Sequence, residues 1–146
     1  MSNGLEKFIK TYEKKTGDKF VRDARYEFFY IADKGFCEIG TTDKMVIVNQ
    51  VCGDGKFWKK FAEEIAKQAG LKAVGTWCVR KAVKAWIRLF GFKVVETEEL
   101  PNGLKRYHGI DEQGRKGLMS PAFVDNKHKG YFVTWQAGRC EDENNF

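Results

Sequence analysis

The stretch Lys44-Met-Val-Ile-Val-Asn-Gln-Val-Cys-Gly-Asp-Gly-Lys-Phe-Trp58 constrains the fold more than any other, because it passes from an apolar run through two glycines into a helical pattern. Met45 to Val48 has the uninterrupted, largely β-branched character of a strand buried on both faces. From Phe57 onward, Phe57, Trp58, Phe61, Ala62, Ile65 and Ala69 fall on one helical stripe, opposite Lys59, Lys60, Glu63, Glu64 and Lys67. A strand that turns directly into a helix aims the helix's first amides, which have no partner within their own helix, at one point. Gly53 and Gly55 permit the backbone angles and close approaches such a point needs, so the junction is expected to hold an anion, a phosphate above all.

Spacing excludes two phosphate-binding patterns. A Walker A loop needs a glycine where Gln50 stands and a hydroxyl where Phe57 stands. The dinucleotide fingerprint needs a third glycine where Trp58 stands.

The flanking chain supplies the partners of this junction. Leu5, Phe8, Ile9 and Tyr12 lie at helical spacing before Gly17, so residues 4–16 are expected to form an amphipathic helix. After a linker at Asp18 to Ala24, Tyr26 to Ala32 and Phe36 to Gly40 read as strands joined by the turn Asp33-Lys-Gly35, which makes an antiparallel meander with the Met45 strand. Gly70 ends the junction helix and Leu71 to Cys78 reads as a strand. A right-handed strand-helix-strand crossover makes the Met45 and Leu71 strands parallel neighbours. A second helix is expected over Val79 to Phe90, with Arg80, Lys81, Lys84 and Arg88 on its basic face. Gly91-Phe92 then leads into strands at Lys93 to Thr97 and Leu104 to Ile110. Residues 111–129 are polar and carry no periodicity, Tyr131 to Trp135 reads as a last strand, and Glu141 to Phe146 is an acidic tail.

With 146 residues the chain suits one domain with one core. Its net charge of +6 suits a phosphate-bearing partner without choosing between nucleic acid and a nucleotide-derived cofactor. The four cysteines and two histidines lack ligand spacing, so neither a metal site nor a disulfide framework is expected. No apolar run approaches the roughly 20 residues a spanning helix needs, which points to a soluble, cytoplasmic protein with no membrane partner.

Gln50-Val-Cys-Gly53-Asp-Gly55 resembles the pyrophosphate loop of the GNAT superfamily of acyl-CoA-dependent acyltransferases, whose pattern is Gln or Arg, two residues, Gly, one residue, Gly or Ala. The order of elements from Tyr26 to Ile110 is also similar to that family's, with Gly91-Phe92 in register with its Gly-Phe pair. The shortened N-terminal part resembles small phage-encoded members. The resemblance implies a single α/β domain of GNAT type: a mixed, mostly antiparallel twisted sheet with a parallel central pair and helices on both faces. In it, helix 4–16 precedes a core at 25–110 and an extension at 111–146.

The implied activity is acetyl transfer from acetyl-CoA, as cosubstrate, to an amine on a small molecule or protein. The pyrophosphate would lie on the amides of Cys52, Gly53, Gly55, Lys56 and Phe57, and the pantetheine would pair with the backbone of Asn49, Gln50 and Val51. Asn49 or Val51, beside a bulge in the central strand, would polarise the thioester. Glu38 is the implied base, ahead of Glu27 and Asp43. Ile87 occupies the place of the family's acid tyrosine, so Tyr107 or Tyr131 would have to supply the proton. Ile87, Asp54 and Arg80 all depart from the family's pattern; Ile87, Asp54 and the shortened N-terminal part favour the alternative of a degenerate binding or structural module, such as a phage accessory or virion protein. Nucleic acid is not expected as a partner, because Trp86, the aromatic nearest Lys81, Lys84 and Arg88, belongs to the apolar stripe.

Overall fold

A computed structural model describes residues 3–78, 91–124 and 127–138. The amphipathic stripes become two helices, α1 (Asn3–Thr16) and α2 (Gly55–Gln68), one on each face of a single sheet. Consecutive side chains of a strand point to opposite faces. Phe28 joins Tyr12 of α1 in an aromatic cluster with Phe20 and Phe36, whereas its neighbour Phe29 meets Phe61 of α2 at 5.0 Å.

The strands are β1 (Glu27–Ile31), β2 (Gly35–Thr41), β3 (Met45–Gly53), β4 (Ala73–Cys78), β5 (Lys93–Glu99), β6 (Lys105–Ile110), β7 (Lys116–Val124) and β8 (Lys127–Gln136). Their order in the sheet is β1-β2-β3-β4-β8-β7-β6-β5. Every pair is antiparallel except β3 and β4, which run parallel as the crossover rule requires. The fold is therefore mixed α/β with a mostly antiparallel sheet and one parallel pair. The α2 face holds the larger core, in which Trp58, Ala62 and Ala66 pack on Val46, Val48, Val74, Val133 and Trp135. No helix among the described residues is long and apolar enough to cross a membrane.

Three expectations change. First, β3 does not stop at Val48 but continues to Gly53, because Val51 to Gly53 find partners on β2. Second, residues 111–138 are no appendage to a core at 25–110: β7 and β8 are integral to the sheet, and β8 stands between β4 and β7. The polar segment hid β7, whose Pro121 sits beyond Met119, the last residue that pairs with β6, so its missing N–H costs no bond on that side. Third, the linker at 18–24 is bonded to the sheet rather than free of it. The expected helix Val79–Phe90, with Arg80, Lys81, Lys84, Trp86, Ile87 and Arg88, and the tail Glu141–Phe146 lie outside the described residues.

A buried charge cluster fastens the C-terminal strands to α2. Glu63 accepts from the Trp135 indole at 2.7 Å and pairs with Arg115 and Lys59, each at 3.0 Å. Arg115 in turn pairs with Asp111 at 2.8 Å, across a turn that Asp111 closes on the amides of Gln113 and Arg115.

Candidate functional site: the cleft between the parallel strands

The register of β3 with β4 runs from Met45–Ala73 to Val48–Thr76 and ends there. Both strands continue, but with other partners: β3 reaches Gly53 along β2, and β4 reaches Cys78 along β8. Beyond Val48 and Thr76 the parallel pair has parted, and among the described residues no strand pairs with the β4-facing edge of Asn49 to Val51.

A bulge shapes the β3 bank of this cleft. Cys37 faces Val51 and Ile39 faces Val48, so Asn49 and Gln50 together lie opposite Glu38. Glu38 is 0% exposed. Its carboxylate accepts from the Asp23 amide at 2.8 Å, Asn49 Nδ2 at 3.0 Å, Gln50 Nε2 at 2.6 Å and the Arg22 guanidinium. Burial alone would push its pKa up; the donors from Asp23, Gln50, Arg22 and Asn49 outweigh this and hold it below the usual glutamate value. Gln50 also donates to the Val21 carbonyl at 2.9 Å, so the side chain that begins the loop pattern is bonded to the 18–24 segment.

At the helix end of the cleft, Asp54 caps α2. Its Oδ1 accepts from the Phe57 amide at 3.1 Å, and Lys34 Nζ approaches Oδ2 at 3.5 Å. The Phe57 amide bond holds the Asp54 carboxyl below the ordinary aspartate range, with Lys34 adding to it. One of the amides expected to meet a phosphate therefore already meets a carboxylate of the same chain. The two glycines differ sharply. Gly53 has φ +109, and a Cβ there would overlap the Lys34 carbonyl and the Gly35 backbone. It serves the tight β2–β3 contact. Gly55 has an ordinary φ and open space where a Cβ would stand, so it is the glycine that faces outward. Cys52 turns its sulfur toward the Phe8 carbonyl of α1 at 3.4 Å, while Lys56 is exposed.

The tyrosines lie on the β4 side. Tyr131 pairs with Cys78, one strand beyond β4, and burial followed by the nearby Tyr107 pushes its hydroxyl pKa up. Tyr107 is on β6, three strands beyond β4 and hence about 14 Å away in the plane of the sheet, with its ring 6.4 Å from that of Tyr131. Glu27 lies exposed on the edge strand β1, and Asp43 lies in the β2–β3 turn, so neither is at the bulge.

The structure thus gathers Glu38, Asn49, Gln50, Val51, Gly55 and Lys56 along one bank and leaves Tyr107 away from it. It adds Arg22 and Asp23, which sequence reasoning assigned to a linker. Nothing in the mixed run Asp18-Lys-Phe-Val-Arg-Asp-Ala24 sets this charged pair apart from the other charges of the segment, Asp18 and Lys19. Comparison of the chain with protein-family models, with curated proteins and with solved structures finds no match in any of the three.

Proposed function

We propose that the protein is a GNAT-like acyltransferase that binds acetyl-CoA in the cleft between β3 and β4 and moves its acetyl group to an amine. The observation that carries this reading is the parting of a parallel pair after Val48 and Thr76, directly before a helix N-terminus. An extended pantetheine arm, with two amides along its length, can pair with the open edge of Asn49 to Val51 as an added strand would. The pyrophosphate would then reach the first turn of α2 at Gly55 and Lys56, with Lys34 nearby.

In this reading the acceptor nitrogen attacks the thioester carbonyl and the C–S bond breaks; the nitrogen gives up one proton to solvent water as the amide forms, and the departing thiolate takes up one, so the products are the amide and free CoA thiol. An N–H of Asn49 or Val51 would stabilise the oxygen that becomes negative. Glu38 acts by holding the bulge that aims those amides, since its lone pairs are already engaged by its donors. Tyr131, the nearer of the two tyrosines, is the better placed to protonate the departing thiolate.

A second reading, binding without turnover, is favoured by the Asp54 carboxylate at the α2 N-terminus and by a fully bonded Glu38. Calorimetry with acetyl-CoA, followed by an assay for released CoA thiol with a panel of amines, separates the two. Heat and thiol release support transfer, and heat without thiol release supports the binding module. Absence of heat at millimolar acetyl-CoA overturns both.

A further inference from the structure

A second concavity lies on the sheet face opposite α2, at the other end of the strands from the cleft. β3 and β4 part near their C-terminal ends, whereas this groove starts at their first residues, Met45 and Ala73, and crosses to β5. Its face follows from register. Val133 and Trp135 point into the α2 core, so Thr134 between them points the other way, in one row with Leu118, His108 and Glu96. The groove encloses about 740 Å³, within the range of small-molecule sites and small for a macromolecular partner. Met45, Leu118, Ile110 and Val95 give it an apolar lining.

Its charge is uneven. Lys44 and Lys72 immediately precede Met45 and Ala73, which are register neighbours, and Ala73 pairs with Gln136. The amide of Lys116 donates to Oε1 of Gln136 at 2.7 Å, which brings a third lysine to the same end. Asp43 is the one acid among the described lining residues at that end. None of the three lysines forms an ion pair with a described residue. The far end carries Glu96 and His108, and His108 faces Glu98 at 3.3 Å.

We propose that this groove is a binding site for a small organic anion: a molecule with an apolar body and a single carboxylate or phosphate head, the head lying among Lys44, Lys72 and Lys116. The apolar lining supplies affinity by removing the body from water, and the lysines select the sign of the head. Nothing in this proposal depends on acetyl-CoA binding in the cleft.

The test is calorimetry of the full chain with dodecanoate, dodecyl phosphate and dodecyltrimethylammonium, each below its micelle concentration. One or both anions should bind at least tenfold more tightly than the cation of equal chain length, and whichever binds more tightly identifies the head group. The double variant Lys44→Glu, Lys72→Glu should lose at least tenfold in anion affinity while its melting curve matches wild type, because both side chains are exposed. Acetyl-CoA should not displace the bound anion. Equal affinity for the cation, unchanged anion affinity in the double variant, or no binding by either anion overturns the proposal.

Discussion

Replacing Glu38 by Gln keeps the shape of a fully buried side chain and removes its charge. The carboxylate receives Arg22 and the Asp23 amide on Oε2, and Asn49 and Gln50 on Oε1. A glutamine offers one oxygen, so whichever way its amide turns, one pair of donors confronts an NH₂ group. Hydrogen bonds to a charged group are worth about 1.5–3 kcal/mol each. Arg22 is 41% exposed and regains water when released, so its share is small. The net loss should be about 2–4 kcal/mol, or roughly 10 °C in melting temperature for a chain of this size. The pH dependence fixes the sign. Glu38 has a folded pKa below its ordinary 4.5, so its contribution is fully present above that value and disappears as pH falls through the folded pKa. The gap between wild type and Glu38→Gln should therefore narrow as the pH is lowered below 4.5, which thermal melts monitored by circular dichroism at several acidic pH values would measure. A loss under about 0.5 kcal/mol at neutral pH, or a gap independent of pH, refutes the reasoning, since surface substitutions commonly fall within that range. A variant of full stability that loses about 10²-fold or more in turnover would make Glu38 a base instead.

Gly53→Ala should destabilise the fold by more than about 2 kcal/mol, because its left-handed φ and the overlap with Lys34 add together, as chemical denaturation would show. Gly55→Ala should leave stability unchanged or raise it by about 0.4–1 kcal/mol, since its backbone is ordinary and the space is open, while weakening acetyl-CoA binding at the α2 N-terminus. Asp54→Ala should lower the melting temperature by removing a helix cap yet tighten acetyl-CoA binding by freeing the Phe57 amide; a fall in both refutes the placement of the pyrophosphate. Burial, with the Glu38 charge adding to it, pushes the Cys37 thiol up to about 12, so peptide mapping after iodoacetamide at pH 8 should find Cys37 unmodified in the native protein and modified after denaturation.

The left half of the sheet was legible in the sequence because its signals are local: aromatic and β-branched runs, the Asp33-Lys-Gly35 turn and the stripe of α2. The parallel pairing of β3 with β4 followed from chain order and handedness alone. What escaped depended on residues far apart in the chain. Glu38 alternates with Cys37 and Ile39 like a solvent-facing residue, yet α1 and the 18–24 segment cover the face it shares with Phe36, so β2 is buried on both sides. Glu63 sits on the charged side of the α2 pattern and is nonetheless buried, because Arg115, in the turn before β7, and Trp135 of β8 meet it. No periodicity in Lys116 to Val124 announces a strand, since its glycine, serine and proline suit a loop as well as they suit a strand held between two others.

The place of β8 in the middle of the sheet sets the order in which this protein can be made. Ribosomal synthesis releases β1 to β4 and then β5 to β7 before the strand that joins them exists, so two partial sheets wait with β4 and β7 as open edges. Neither edge has a partner until residues 127–136 emerge, and closing the sheet then brings Gln136 back to Ala73 across most of the intervening chain. Such distant pairings fold slowly and expose strand edges to other copies while they wait. Folding yield should therefore depend on protein concentration and on chaperones that cover those edges, long after the cleft-forming strands are complete.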